Sequence, residues 1–373
     1  MTVDLDTRIA ESPEATEVYL WAAADSALSL EQQARDAFTR IRDRLLSMKA
    51  CIIQERVFCA VETAGMLRTV RGQVYGELDD GVEASYLVSQ AEGACPFVGV
   101  QVHAVTGVSD VEVVRLGQTA CGRVVRMSDR GYLTLSAIAD SSSEQAPDQA
   151  CAIFNSAESI LEQFGADFLS VARTWMWLGD ILSWYDDFNH VRTEFFRERG
   201  LVGAGTRQSM PASTGIGLGP ASGEQLSMDL VAVLGAKGTT EYLGALGKQQ
   251  CALEYGSAFS RAARVYTPAG RTVFVSGTAS IDASGATTNI DDGPAQIETT
   301  IENVRAVLGD MGLGDNDVVQ VMAYCKTTDI KRAFETFRSQ IDWPWVTVVC
   351  DVCRDDLLFE IEAAAISGAK RIE

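Results

Sequence analysis

The sequence predicts an α/β (α+β) chain of mixed sheets with helices packed on one face. Three observations predict it. The 373 residues are 47% hydrophobic and 22% charged, an ordinary globular composition with enough chain for one large domain or two modest ones. Short β-rich runs alternate with longer runs of helical spacing. From about residue 120 the order strand, turn, strand, helix, strand, helix occurs twice.

Residues 1–50 read as an N-terminal helical extension. Its clearest part runs from Ser29 to Leu46, with Ser29 as N-cap and Gln32 three positions on. From Cys51 to about Leu116 the apolar segments are short and β-rich, as in residues 98–105. The first copy has strands at 122–126 and 132–139, a helix at 149–164, a strand at 168–178 and a helix from 181 to about 199. The second has strands at 263–266 and 272–281, a helix at 296–308, a strand at 317–326 and a helix at 331–340. Closing strands follow around 346–353 and 357–366. The expected division is the extension over 1–50, a first unit with a β-rich N-terminal part over 51–235, and a second unit over 236–373. Two such sheets packed together place a cleft between them.

Composition excludes several functions. A net charge of −20 argues against a nucleic-acid partner, which requires a basic face. No apolar run is long enough to span a membrane, and the polar, acidic first 13 residues do not form a secretory signal, so a cytoplasmic location is expected. His103 and His190 are too few for a histidine-built metal site, and Cys350 and Cys353 form a CxxC with no second one to complete a thiolate cage. The nine cysteines read as buried reduced thiols. The CxxC falls in a run that reads as a strand, where residues three apart face opposite sides. No metal and no cofactor is expected.

The second copy resembles the YjgF/RidA family, a chorismate mutase-like fold. The residues that carry this are the strand Val275-Ser-Gly-Thr-Ala-Ser-Ile281, Gln296 with Glu298-Thr299, Lys326 followed by Asp329, and Phe359-Glu-Ile-Glu-Ala363. Residues 115–368 resemble more specifically the chorismatases (3-hydroxybenzoate synthase-like), which carry two RidA-like units on one chain. The runs are Ala172-Arg-Thr-Trp175, Tyr185 through Phe188 to Arg192, Met210-Pro-Ala-Ser-Thr-Gly-Ile-Gly217, and Cys353-Arg-Asp-Asp-Leu-Leu-Phe-Glu-Ile-Glu362.

Glu360 is the main catalytic candidate. It lies in an apolar strand and shares a face with Glu362. Apolar surroundings raise a carboxyl's pKa and suit it to proton transfer, whereas an outward face would leave both carboxylates solvated. The resemblance implies that the first glutamate of Glu-x-Glu is the acid. It also implies that Gly277 and Cys353 occupy positions that steer the outcome, here as in the branch releasing 3-hydroxybenzoate. A glycine for close packing and a cysteine filling a core gap explain them as well. Arg173 and Arg192 are candidates for recognising a carboxylate or carbonyl. Arg173, inside an apolar strand, needs a partner, for which Asp186 or Asp187 would serve. Ser213 and Thr214 lie in a Gly-bounded turn whose donors could hold an oxyanion. Trp175 and Tyr185 belong to an aromatic set suited to a flat ligand.

The sequence also departs from the family pattern. Asp282 to Asn289 stands where chorismatases carry a Gly-His pair and further histidines. Lys326 stands where they have an arginine-rich segment, and residues 342–350 lack the arginine by which RidA enzymes bind an imino acid. Fewer basic residues than a dicarboxylate requires point to a substrate less charged than chorismate.

The expected function is a metal-free enzyme of secondary metabolism, such as antibiotic biosynthesis. Glu360 would drive cyclisation or aromatisation of a small, enolisable, unsaturated molecule, with Arg173 or Lys326 stabilising an enolate. Chorismatase-like proteins that close carbazole rings fit this description. A true chorismatase, releasing pyruvate and 3-hydroxybenzoate, is the alternative, and a non-catalytic metabolite-binding protein the third. The partner is a small molecule, with a homo-oligomer resembling the RidA trimer, or a pseudo-trimer within one chain.

Overall fold

A computed structural model describes residues 5–89, 91–93, 95–202, 209–235 and 240–372. The chain opens with strands β1 (Asp6–Glu11) and β2 (Thr16–Ala23), helix α1 (Leu30–Met48), β3 (Cys51–Cys59), α2 (Val61–Tyr75), β4 (Ser85–Ser89) and β5 (Phe97–Thr106). Next come β6 (Val111–Leu116), β7 (Thr119–Arg126), β8 (Gly131–Ile138), α3 (Ala146–Gln163), β9 (Val171–Leu178), α4 (Ile181–Glu198), β10 (Ala212–Ile216), β11 (Leu218–Pro220) and β12 (Leu226–Leu234). The last part holds β13 (Glu241–Leu243), β14 (Ala262–Thr267), β15 (Gly270–Ala279), α5 (Gly293–Asp310), β16 (Val318–Cys325), α6 (Thr328–Arg338), β17 (Trp345–Val349), β18 (Phe359–Ile366) and β19 (Lys370–Ile372).

These strands form three sheets. The second and third run β6-β7-β8-β12-β9-β10 and β13-β14-β15-β18-β16-β17, one topology used twice. The first contains β1-β2-β5-β3-β4, the same order without the leading edge strand, and β19 and β11 extend its two ends. In each sheet one parallel pair is joined through a helix: β3/β4 through α2, β9/β10 through α4 and β16/β17 through α6. Parallel neighbours require such a crossover.

The predicted helical extension is corrected here. Helix α1 forms as expected, with the Gln32 side chain accepting from the Ser29 backbone N–H at 3.1 Å. Residues 6–23, however, form β1 and β2, and belong to a sheet. The reason is burial on both faces: Val18 through Ala22 are all buried, so β2 lacks the alternation that marks a half-exposed strand.

Each sheet covers one face with its own helices. Ile153, Phe154, Phe188 and Phe196 of α3 and α4 pack on Met176 and Leu178 of β9 and Met228 and Leu230 of β12. The other faces of all three sheets meet in a shared core containing Tyr19, Trp21, Trp175, Trp177, Met322 and Tyr324. Three related contacts cross it. Arg56 of β3 pairs with Asp229 of β12 at 2.9 Å, Trp175 Nε1 of β9 donates to Glu362 of β18 at 2.7 Å, and Gln101 Nε2 of β5 reaches Met322 Sδ of β16 at 3.7 Å. Arg56, Trp175 and Met322 stand opposite Gln101, Asp229 and Glu362 within their own sheets. The closing strand of each sheet thus touches the next sheet in the same way. Among the described residues no helix is long and apolar enough to cross a membrane.

Candidate active site

The second and third sheets meet where β10 packs on β15. The Ser213 backbone N–H donates to Ser276 Oγ at 2.8 Å, and Ser276 Oγ donates to the Ser260 carbonyl at 2.5 Å. Beside this seam opens a cavity of about 440 Å³, within the usual range for a small-molecule site. Helix α4 presents Tyr185, Asn189 and Arg192 to it, at spacings of four and three residues that share one helical face. Ser213, Thr214 and Gly215 come from β10, and Gly277 and Ala279 from β15. Tyr255, Phe259 and Arg261 come from the segment before β14. Cys353, Arg354 and Leu357 come from the loop after β17, and Glu360 from β18.

Glu360 is 4% exposed and Glu362 5%, so the outward-facing alternative fails. Burial pushes the Glu360 carboxyl up to about 8. The neighbouring Glu362 adds to this, and Arg173, Arg354 and Arg261 oppose it. Gly277 makes the space that Glu360 occupies: a Cβ there would lie 2.1 Å from Glu360 Oε1 and 3.3 Å from the Thr214 methyl. The positions matching Glu360 on the other closing strands, two residues before Gln101 and Asp229, are Gly99 and Ser227, so the carboxyl occurs at one of three related places.

Four guanidiniums line the wall; that of Arg197 pairs with Glu194, and the other three are those of Arg192, Arg261 and Arg354. Arg192, 1% exposed, donates to Asn189 Oδ1 at 2.6 Å and reaches Ser213 Oγ at 3.5 Å. It lies over the Phe188 and Phe259 rings. Arg261 donates to the Gln250 carbonyl at 2.9 Å and to the Tyr255 hydroxyl. Arg354 donates to the Gly285 carbonyl at 2.7 Å. Among the described residues none of the three pairs with a carboxylate. These three stand against the expectation of too few basic residues for an anionic substrate. The count of 31 Lys and Arg is modest, but the fold gathers these three from separate segments.

Of the predicted residues, Glu360, Arg192, Tyr185, Ser213, Thr214, Gly277 and Cys353 come together in the wall. Arg173, Trp175 and Lys326 do not. On β9 the even-numbered Met176 and Leu178 face the helices, while Trp175 and Trp177 face the shared core. Arg173 follows the odd set by strand alternation. It lies under the cavity, donating from Nη2 to Glu362 at 2.7 Å and to Thr214 Oγ1 at 2.5 Å. Its partner is therefore Glu362, in place of Asp186 or Asp187. Trp175 lies with its ring 4.0 Å from the Arg56 guanidinium and 4.7 Å from that of Arg173. Lys326, just past β16, donates to the Asp355 carbonyl at 2.7 Å and braces the loop that carries Arg354.

The cysteine expectations also change. β17 ends at Val349, so the CxxC lies beyond the strand. Burial pushes the Cys353 thiol up to about 12, which disfavours its thiolate. Three of the nine cysteines, Cys51, Cys95 and Cys151, are exposed rather than buried. Sequence reasoning missed Asn189, Tyr255, Phe259, Arg261 and Arg354. Two had a signal: Asn189 stands one helical turn before Arg192, and Arg354 lies inside the Cys353–Glu362 run.

Comparisons with known proteins agree with this architecture. The model of the Endoribonuclease L-PSP family matches residues 251–367. A 3-hydroxybenzoate synthase of Streptomyces hygroscopicus is 30% identical over 236 residues, covering 56% of this chain and 66% of that protein. A chorismatase of Streptomyces rapamycinicus is 31% identical over 222 residues, covering 52% and 63%. The matched stretches thus span just under two thirds of these relatives. A chorismatase crystal structure superposes with a TM-score of 0.60 at 17% identity, covering 96% of this chain and 99% of that one, which establishes likeness of fold. The chain is thus a tandem YjgF/RidA-fold protein resembling the chorismatases of the 3-hydroxybenzoate synthase-like kind.

Proposed function

We propose that this chain is a chorismatase-type enzyme in which Glu360 gives its proton to a small, anionic, unsaturated substrate held by Arg192, Arg261 and Arg354. The observation that carries this is one buried carboxyl, raised to about 8, facing guanidiniums that no carboxylate neutralises among the described residues. A carboxyl that keeps its proton at neutral pH is a competent general acid, and guanidiniums bind carboxylates through paired N–H groups.

Chorismate, the substrate class suggested by the relatives' names, is the first candidate. Glu360 would protonate the enolpyruvyl methylene carbon. Water would add to the resulting oxocarbenium carbon and return a proton to Glu360; breaking of the ether C–O bond, with a proton passing to the leaving oxygen, would release pyruvate and a dihydroxylated ring acid, which becomes 3-hydroxybenzoate on loss of water. The chain incubated with chorismate should release pyruvate in a coupled dehydrogenase assay, and Glu360→Gln should lose this activity by ~100-fold or more. Absence of pyruvate at millimolar chorismate would exclude this substrate.

A second reading, cyclisation or aromatisation of an enolisable precursor of the carbazole type, is favoured by the wall of Tyr185, Tyr255, Phe259, Ile281 and Leu357. In it Glu360, part ionised near neutrality, would remove a proton beside a carbonyl. The arginines of the wall favour an anionic substrate over the weakly charged one this reading takes. If Glu360→Gln retained ligand affinity while turnover disappeared, a binding-only role would be excluded. We infer also that the three sheets form a pseudo-trimer within one chain, whose cavity is walled by the second and third sheets alone.

A further inference from the structure

Beneath the cavity lies a buried assembly of which Thr214 alone lines the open space. Glu362 uses both carboxylate oxygens across the seam between sheets: Oε1 accepts from Trp175 Nε1 and Oε2 from Arg173 Nη2, each at 2.7 Å. The same Nη2 donates to Thr214 Oγ1, and the Thr214 methyl borders the gap at Gly277 that Glu360 fills. Glu362, Arg173 and Thr214 are all at least 95% buried. We propose that Glu362 is a positioning residue for Glu360, fixing the acid in the wall by tying β18 to β9 and β10 through Trp175, Arg173 and Thr214.

Two consequences follow. Glu360 is held on a strand clamped two residues away by groups from another sheet, so the acid's position depends on the packing of the two sheets. The clamp also sets charge beside the acid. Glu362 disfavours ionisation of Glu360, and burial holds the Arg173 guanidinium below its usual range while Glu362 opposes that. The other groups around Glu360 are Tyr324 on β16, Tyr185 and Arg192 on α4, Tyr255 and Arg261 before β14, and Cys350, Cys353 and Arg354 after β17. Removing the Glu362 charge leaves Arg173 unopposed and favours the ionised form of Glu360.

The inference rests on the reading of Glu360 as the acid, and the test separates the two. Protein labelled with 13C at the glutamate carboxyl carbons is titrated by NMR without substrate, and the Glu360 signal is assigned by its loss in Glu360→Gln. In Glu362→Gln the Glu360 midpoint should fall by about 1 pH unit or more. Glu362→Asp, which keeps the charge, should lower the midpoint by less than Glu362→Gln does. Trp175→Phe, which removes a donor from Glu362 and leaves its charge less neutralised, should raise it by roughly 0.5. This third variant carries the test should Glu362→Gln not fold. Unchanged midpoints in Glu362→Gln and Trp175→Phe would overturn the inference. A midpoint near that of a free glutamate in the unaltered protein would instead overturn the reading of Glu360 as the acid.

Discussion

Glu360→Gln changes stability in a way that depends on pH, and no substrate is needed to see it. The unfolded carboxyl titrates near 4.3, whereas burial raises it to about 8 in the fold. Between these values the folded chain holds a proton that the unfolded chain has released, so stability falls as pH rises through the window. The stabilising contribution is complete below about pH 4 and gone above about pH 8. A gap of about 3.7 pH units at about 1.4 kcal/mol each sets a ceiling of about 5 kcal/mol, and relaxation of the site would reduce it to a few. Glutamine carries no titrating proton and removes this dependence. The measurement is urea unfolding of both proteins from pH 5 to pH 8.5. The stability of Glu360→Gln minus that of the unaltered chain should increase by a few kcal/mol over that range. Parallel curves would show that Glu360 titrates like a solvated carboxyl and would refute the reasoning.

Three further outcomes follow from the same geometry. Gly277→Ala places a methyl 2.1 Å from Glu360 Oε1, so the acid must shift by about 1 Å and turnover should fall ~100-fold; the substrate's rate constants at saturation check this, and a change under threefold would contradict it. Arg354→Met should lower kcat/KM for an anionic substrate by about 10- to 100-fold, the worth of one charged hydrogen bond, with the thermal midpoint almost unmoved. Arg56→Met strands Asp229, 0% exposed, although Ser85 Oγ and the Ala137 N–H also donate to it. It should cost about 3–5 kcal/mol in urea unfolding, and a loss below about 1 kcal/mol would show that the pair does not hold the first two sheets together.

Local pattern determined much of this protein. The repeat from residue 120 onward was legible because half-buried strands alternate and amphipathic helices repeat, and both signals are carried by neighbours in the chain. Glu360 drew attention because a charged residue inside an apolar strand is conspicuous, and the resemblance to the chorismatases singled it out; its burial could not be read from the strand alone. Strands β1 and β2 of the first sheet were not legible, because β2 is covered on both faces and its residues show no period of two. Arg173 looked like a binding residue for the same reason that Glu360 looked catalytic, yet strand alternation turned it into the shared core against Glu362. Which face of a sheet meets another sheet depends on contacts between residues 189 positions apart, and no local rule contains that distance. The same holds for Arg192, Arg261 and Arg354: each is an ordinary arginine in its own segment. They share one cavity wall only because the second and third sheets pack together, and among the described residues none of them pairs with a carboxylate.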